Sequence, residues 1–238
     1  MNYKIVGVLA ALAVSLTLIW LAQVIGASIQ YGTLETFDHA LAFAREAHWF
    51  FYQATYINAV LLTLVNILLF AGLYALLKDE QPVLAAAGLA VIPLYGILAL
   101  FSYLSQLTLV PTLIAQLADP ALAPMANTLL HHLIQLYPHS TLILFDQFSY
   151  FLLGIPSLID GLLLWRIRPL RVPGALFTLS GAACLLIGPG VLGGFRALID
   201  GPSMFGGVLS IFASGWLAYR LLVRPQPSRR PVLGESAR

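Results

Sequence analysis

Charge is scarce in this sequence. Of its 238 residues 12 are basic and 10 acidic, so 9% are charged, against about 25% in an ordinary soluble domain. Cysteine is scarcer: Cys184 stands alone, which excludes a disulfide scaffold. No glycine period runs along the chain, so collagen-like repeats are excluded, and the highly charged, weakly hydrophobic composition of a disordered chain is missing. What fills the space is apolar. Hydrophobic residues make up 60% of the chain and the mean hydropathy is +0.88. A soluble fold of this length cannot hide so much Leu, Ala and Ile behind so few charges. The class that remains is an all-α integral membrane protein.

A membrane-spanning helix needs about 20 mostly apolar residues to cross about 30 Å of hydrocarbon. Six stretches qualify: 5–27, 56–77, 83–107 (with an amphipathic extension toward 117), 141–165, 173–192 and 203–223. The first is too long for a signal-peptide core, and Ile25-Gly26-Ala27 makes a poor cleavage site, so it is expected to stay as a helix. Residues 1–223 then form a single six-helix transmembrane domain, and 224–238, rich in Pro and Arg, a flexible basic cytoplasmic tail.

The basic residues set the orientation. With the N-terminus in the cytoplasm, Lys4, Lys78, Arg166, Arg168, Arg171, Arg220, Arg224, Arg229, Arg230 and Arg238 lie inside and only Arg45 and Arg196 outside. The expected arrangement is N-in/C-in, multi-pass, in the bacterial inner (plasma) membrane. The inner connections are tight, while two outer ones are long enough for helices of their own. One starts near Leu34 with Glu35, Asp38, His39, Ala42 and Glu46 on a polar face; a more apolar one covers about 122–135. Both are expected as interfacial helices. In the fifth span Gly188-Pro189-Gly190 interrupts the apolar run, either ending the helix or making it discontinuous.

Polar residues inside the spans mark the candidate site. Asp146, Tyr150, Ser157 and Asp160 fall at i, i+4, i+11 and i+14, one stripe at 100° per residue. Both aspartates lie about 10 Å from the span centre near Leu153, inside the hydrocarbon edge but not deep. Tyr95, Ser102 and Gln106 form a matching stripe in the third span, and Asn66 sits near the middle of the second. Two readings stay open. The carboxylates are paired structurally, Asp160 with Arg166 or Arg168, and Arg196 outside with Asp146 or Asp200. Alternatively the stripes line a polar cavity that handles a solute or protons. Gly206, Ser210 and Ser214 give the sixth span a small-residue packing face.

Chemical motifs are few. His39, His48, His131, His132 and His139 all belong to the outer half, but no His-x3-His or Glu-x2-His pair occurs on one helix face. No phosphate-binding loop or nucleophile elbow occurs. No cofactor or metal is expected, no residue is nominated as catalytic, and nucleic-acid binding has no support beyond a short basic tail. The long outer segment after the first span, the tight turns at 77–83 and 166–173 and the glycine-broken fifth span together resemble a family of uncharacterised bacterial six-span membrane proteins, a domain of unknown function. That resemblance covers nearly the whole chain and implies no activity. The expected role is non-enzymatic: binding, regulatory or structural, with the lipid bilayer, a membrane-protein partner or a second copy as partners. The alternatives are a small solute or proton-coupled transporter working at Asp146 and Asp160, and a membrane-embedded metal-dependent hydrolase.

Overall fold

The computed structural model describes residues 3–223; the tail expected at 224–238 lies outside the described residues. Ten α-helices and one short 3-10 turn account for the ordered elements: α1 (Tyr3–Tyr31), α2 (Phe37–Glu46), α3 (Gln53–Leu77), α4 (Pro82–Leu107), α5 (Leu109–Gln116), α6 (Ala123–Leu133), α7 (Thr141–Arg166), the turn Arg168–Leu170, α8 (Arg171–Leu185), α9 (Ile187–Gly193) and α10 (Arg196–Leu222). There is no strand among the described residues. Six helical segments are long and apolar enough to cross a membrane, with α4–α5 counted as one and the Arg168–Gly193 stretch as another.

The long helices form a closed ring. Each packs on the next along the chain, in the order α1, α3, α4, α7, α8, α10, and α10 returns to α1. Outward faces are apolar: Ile5, Leu68, Leu94, Ile97, Leu179, Val208 and Phe212 are all exposed. Water would penalise so continuous an apolar surface, whereas hydrocarbon does not. Inside the ring two different fillings meet. At the end bearing Lys78 and Arg166, the basic end, the interior is mainly aliphatic, with Leu69, Leu73, Leu77, Ala85, Ile92, Leu164 and Leu217 in one cluster with Phe70 and Phe177. At the other end it is aromatic, built on Phe43, Tyr52, Tyr56, Tyr95 and Tyr103.

That second end is covered. Helices α2, α5 and α6 pack on one another around Ala40, Val110, Leu113, Ala126, Leu130 and Ile134, a small core of their own. Thr36 starts α2 by accepting the His39 N–H at its hydroxyl (3.3 Å), which satisfies one orphan donor of the first turn. Phe37 of α2 stacks on His131 of α6, ring centroids 3.4 Å apart. The two outer helices expected from sequence are therefore halves of one capping layer, joined by α5.

Proline explains why the element boundaries differ from the apolar runs. A proline has no N–H for the carbonyl four residues back, and its ring crowds that carbonyl. Pro111 deprives Leu107, and α4 stops there, so the extension of the third span becomes the separate helix α5. Pro189 deprives Leu185, and α8 stops at that residue, before Gly188 rather than at it. The Gly188-Pro189-Gly190 triplet then lies inside α9, which ends at Gly194 with φ +70°, the left-handed cap that glycine adopts freely. The last span begins at Arg196, earlier than its apolar run, and carries Pro202 within it.

The tightest contact in the ring is α7 against α8. A Cβ on Gly161 would collide with the backbone N of Thr178, one on Gly174 with the N of Trp165, and one on Gly181 with the N of Leu158. On Gly154 it would meet Cys184 Cβ at 2.9 Å and the Gly181 carbonyl at 3.0 Å. The pairs Gly154/Gly161 and Gly174/Gly181 are each seven residues apart, so the two helices approach backbone to backbone along two turns. α10 joins this seam through Gly206, whose carbonyl accepts the Ser180 hydroxyl at 2.8 Å; on the same helix Ser214 is buried and Ser210 half-buried. Because the obstructing atoms are backbone, Gly161→Ala is expected to lower stability by about 1–3 kcal/mol. Gly207→Ala, with nothing within 4 Å, should leave stability unchanged or raise it by up to about 1 kcal/mol. Unfolding midpoints of the purified proteins in detergent compare the two.

Candidate functional site

The stripe on α7 turns inward. Asp146 and Asp160 are 3% and 2% exposed, Ser157 is buried and Tyr150 half-buried. Opposite lies α4, with Tyr95, Ser102 and Gln106 buried. What they do differs from one residue to the next. Ser157 and Ser102 return their hydroxyls to carbonyls of their own helices, Leu153 (2.8 Å) and Leu98 (2.9 Å). Asn66 of α3 donates its amide to the Tyr95 hydroxyl at 3.4 Å. Tyr150 and Tyr103 share a hydroxyl hydrogen bond of 3.0 Å.

At the covered end these side chains join a continuous network. Gln106 is fully buried. Its Oε1 accepts from the Tyr52 hydroxyl (3.3 Å) and from the backbone N–H of Gln135 (3.2 Å), and its Nε2 donates to the Leu133 carbonyl (2.7 Å) and to Ser105 Oγ (3.1 Å). Gln135, just beyond the end of α6, accepts the Tyr56 hydroxyl at Oε1 (3.2 Å) and donates from Nε2 to Asp146 Oδ2 (2.9 Å). Burial pushes the Tyr52 phenol above its ordinary range, so it remains a donor to Gln106. The Tyr103 hydroxyl is the next donor beside the Asp146 carboxylate, without a regular hydrogen bond to it. The other carboxylate oxygen, Asp146 Oδ1, is buried and has no hydrogen-bond partner. An acceptor left so costs about 1–3 kcal/mol, and more when charged.

Tyr52, Tyr56, Tyr103 and Gln135 carry this centre and were not among the residues nominated from sequence. Tyr52 and Tyr56 are one helical turn apart at the start of α3, a spacing that places both on one face. Gln135 gives no such sign, because its partners lie 79, 29 and 11 residues away along the chain.

The outer ion pair takes another form. Arg196 donates from its guanidinium to the Pro138 carbonyl at 2.8 Å, and Asp146 is tied to Gln135. Arg196 thus anchors the loop ahead of α7, not a carboxylate. On the basic end Arg166 and Arg168 are exposed, while Asp160 is buried and its Oδ1 has no hydrogen-bond partner. The histidines are dispersed: His131 stacks on Phe37, His132 Nδ1 meets Thr141 Oγ1 at 3.0 Å, and His48 Nδ1 accepts the Phe50 N–H at 3.2 Å. His39 and Glu46 line a half-open cleft of about 140 Å³ with Tyr31, Ala42 and Phe43. No group of three His, Cys, Asp or Glu side chains is placed to hold a metal ion among the described residues. Compared with family models, with curated proteins and with solved structures, the chain matches none of them.

The network makes unequal demands on its members. Gln135→Ala strands the Tyr56 hydroxyl and Asp146 Oδ2 together and is expected to cost about 1–3 kcal/mol or more. Ser157→Ala removes a bond within one helix turn and should change stability by no more than about 0.5 kcal/mol. Thermal unfolding in the same detergent reads the contrast.

Proposed function

We propose that this chain is a non-enzymatic, multi-pass binding protein of the bacterial inner membrane, with both termini in the cytoplasm, and that its covered polar centre receives one cationic, hydrogen-bond-donating group at Asp146 Oδ1. The observation that carries this reading is the unpartnered, buried Oδ1 beside a network otherwise supplied with partners. The tyrosine hydroxyls and the Gln106 and Gln135 amides around it supply hydrogen bonding and no activated nucleophile. A carboxylate in such a place is stabilised by a positive donor, and the close packing restricts that donor to a small head such as a primary ammonium. The ten-to-two distribution of basic residues supports the orientation.

A transport role is the second reading, favoured by Asp160, another buried carboxylate with an unpartnered oxygen on the same helix face. It requires the bound solute to leave toward the basic end as well.

Methylammonium and tetramethylammonium separate donor recognition from charge alone, because only the first carries N–H groups. Methylammonium should raise the unfolding midpoint of the native protein and not that of Asp146→Asn, and tetramethylammonium should move neither. Equal responses of the native and Asp146→Asn proteins would reject the site. For orientation, single cysteines placed at Arg168 and at Glu46 in a Cys184→Ser background are read with an impermeant thiol reagent on intact cells. Glu46→Cys should label and Arg168→Cys should not.

A further inference from the structure

Asp160 has an environment unlike that of Asp146. It lies 14 residues further along α7, about 21 Å at 1.5 Å per residue, in the aliphatic half of the ring. Its Oδ1 is buried without a hydrogen-bond partner. Across from it is Gly88 of α4, where a Cβ would stand 3.4 Å from that oxygen; the next atoms around that point are Pro156 Cα and Ile159 Cγ2. Of the elements packed on α7, α6 carries His131 and His132 at the covered end, the 3-10 turn carries Arg168, and α10 carries Arg196, Asp200 and Arg220. α3 and α4 contain no charged residue, α8 has only Arg171 and α9 none. Arg171, like Arg166 and Arg168, is exposed at the helix ends, and Arg220 of α10 donates to the Pro169 carbonyl.

A carboxylate in such surroundings needs either a bound cation or a proton. A metal cation requires several oxygens around it, and Asp160 belongs to no group of three His, Cys, Asp or Glu side chains among the described residues. The proton remains. The distance to open surface is short: Asp160 is six residues, about 9 Å, from Arg166 at the end of α7. We propose that the Asp160 carboxyl, facing the bare backbone of Gly88 across the α4/α7 contact, is a proton-exchange site that communicates with the basic end of the ring. Exchange is a simple transfer: a proton from water or hydronium bonds to the carboxylate oxygen, and the same O–H bond breaks when the proton returns. This does not depend on the reading of Asp146, since no hydrogen bond joins the two carboxylates, which stand 14 residues apart on α7.

The test is infrared difference spectroscopy on the full-length protein in lipid vesicles, with variants for assignment. The native protein should show the C=O stretch of a protonated carboxyl. That band should be lost in Asp160→Asn, kept in Asp146→Asn, and shifted when H2O is replaced by D2O. Gly88→Leu, which fills the space against Oδ1, should slow the shift. Labelling by the hydrophobic dicyclohexylcarbodiimide, located by mass spectrometry in the native protein, gives a measurement that needs no variant to fold: the adduct should sit on Asp160. A missing band, a band that D2O does not shift, or an adduct confined to another carboxyl would each overturn the proposal. Loss of methylammonium binding would not touch it.

Discussion

The Gln106 amide holds the capping layer to the ring. Its carbonyl receives Tyr52 from the segment that enters α3 and the backbone of Gln135 from the segment that leaves α6, while its nitrogen returns a bond to Leu133. Three stretches of chain far apart in sequence meet on one side chain. In hydrocarbon a polar group without a partner costs several kcal/mol, so a buried glutamine must be satisfied from within the protein. Here the cap satisfies it. The position of Gln135, and through it the orientation of Asp146, follows from that requirement. If the cap moved, Gln106, Gln135, Tyr56 and Asp146 would lose partners together, so the covered end behaves as one cooperative unit.

The parts of this structure that were legible in the sequence are those encoded within single helices. Apolar length marked the six spans, and the 100° step placed Asp146, Tyr150, Ser157 and Asp160 on one face before anything was known of what that face meets. Membership of the stripe did not reveal what each residue does there. Ser157 bonds its own helix and Tyr150 crosses to Tyr103, a difference set by the neighbouring helix and by the rotamer. Gln135 escaped notice for the same reason: nothing local distinguishes it from the polar end of an amphipathic helix. The Arg196 expectation assumed that opposite charges at one membrane edge seek each other. A carbonyl on the adjoining loop was nearer, and an exposed arginine gains little from an ion pair over a good neutral acceptor. The helix ends were misread where proline acts at a distance, since Pro111 and Pro189 break the chain at the carbonyls they deprive, four residues upstream.

The glycine seam explains how α7 keeps two aspartates out of lipid. A helix in a ring has two neighbours, an inward face and an outward face. With Gly154 and Gly161 against α8, that side of α7 needs no large side chain, and the backbones themselves make the contact. The polar stripe is thereby left to turn toward α4 and the interior. Gly88 repeats the arrangement in miniature on α4, where the missing side chain makes room for a carboxyl instead of another helix. Large residues at these positions would push α7 away from α8 and expose the stripe, so the small residues and the acidic ones are parts of one requirement.

The two aspartates then differ by what fills the ring at their level. At the covered end the tyrosines and glutamines supply hydrogen bonds and a polarisable surround, in which a carboxylate is stabilised by dipoles and by whatever donor reaches its free oxygen. At the basic end Leu73, Leu77, Leu164 and Leu217 supply neither, so Asp160 has only the proton to neutralise it. Under the two proposals the same residue type on the same helix face serves two different positive species, a donor-bearing head at one end and a proton at the other.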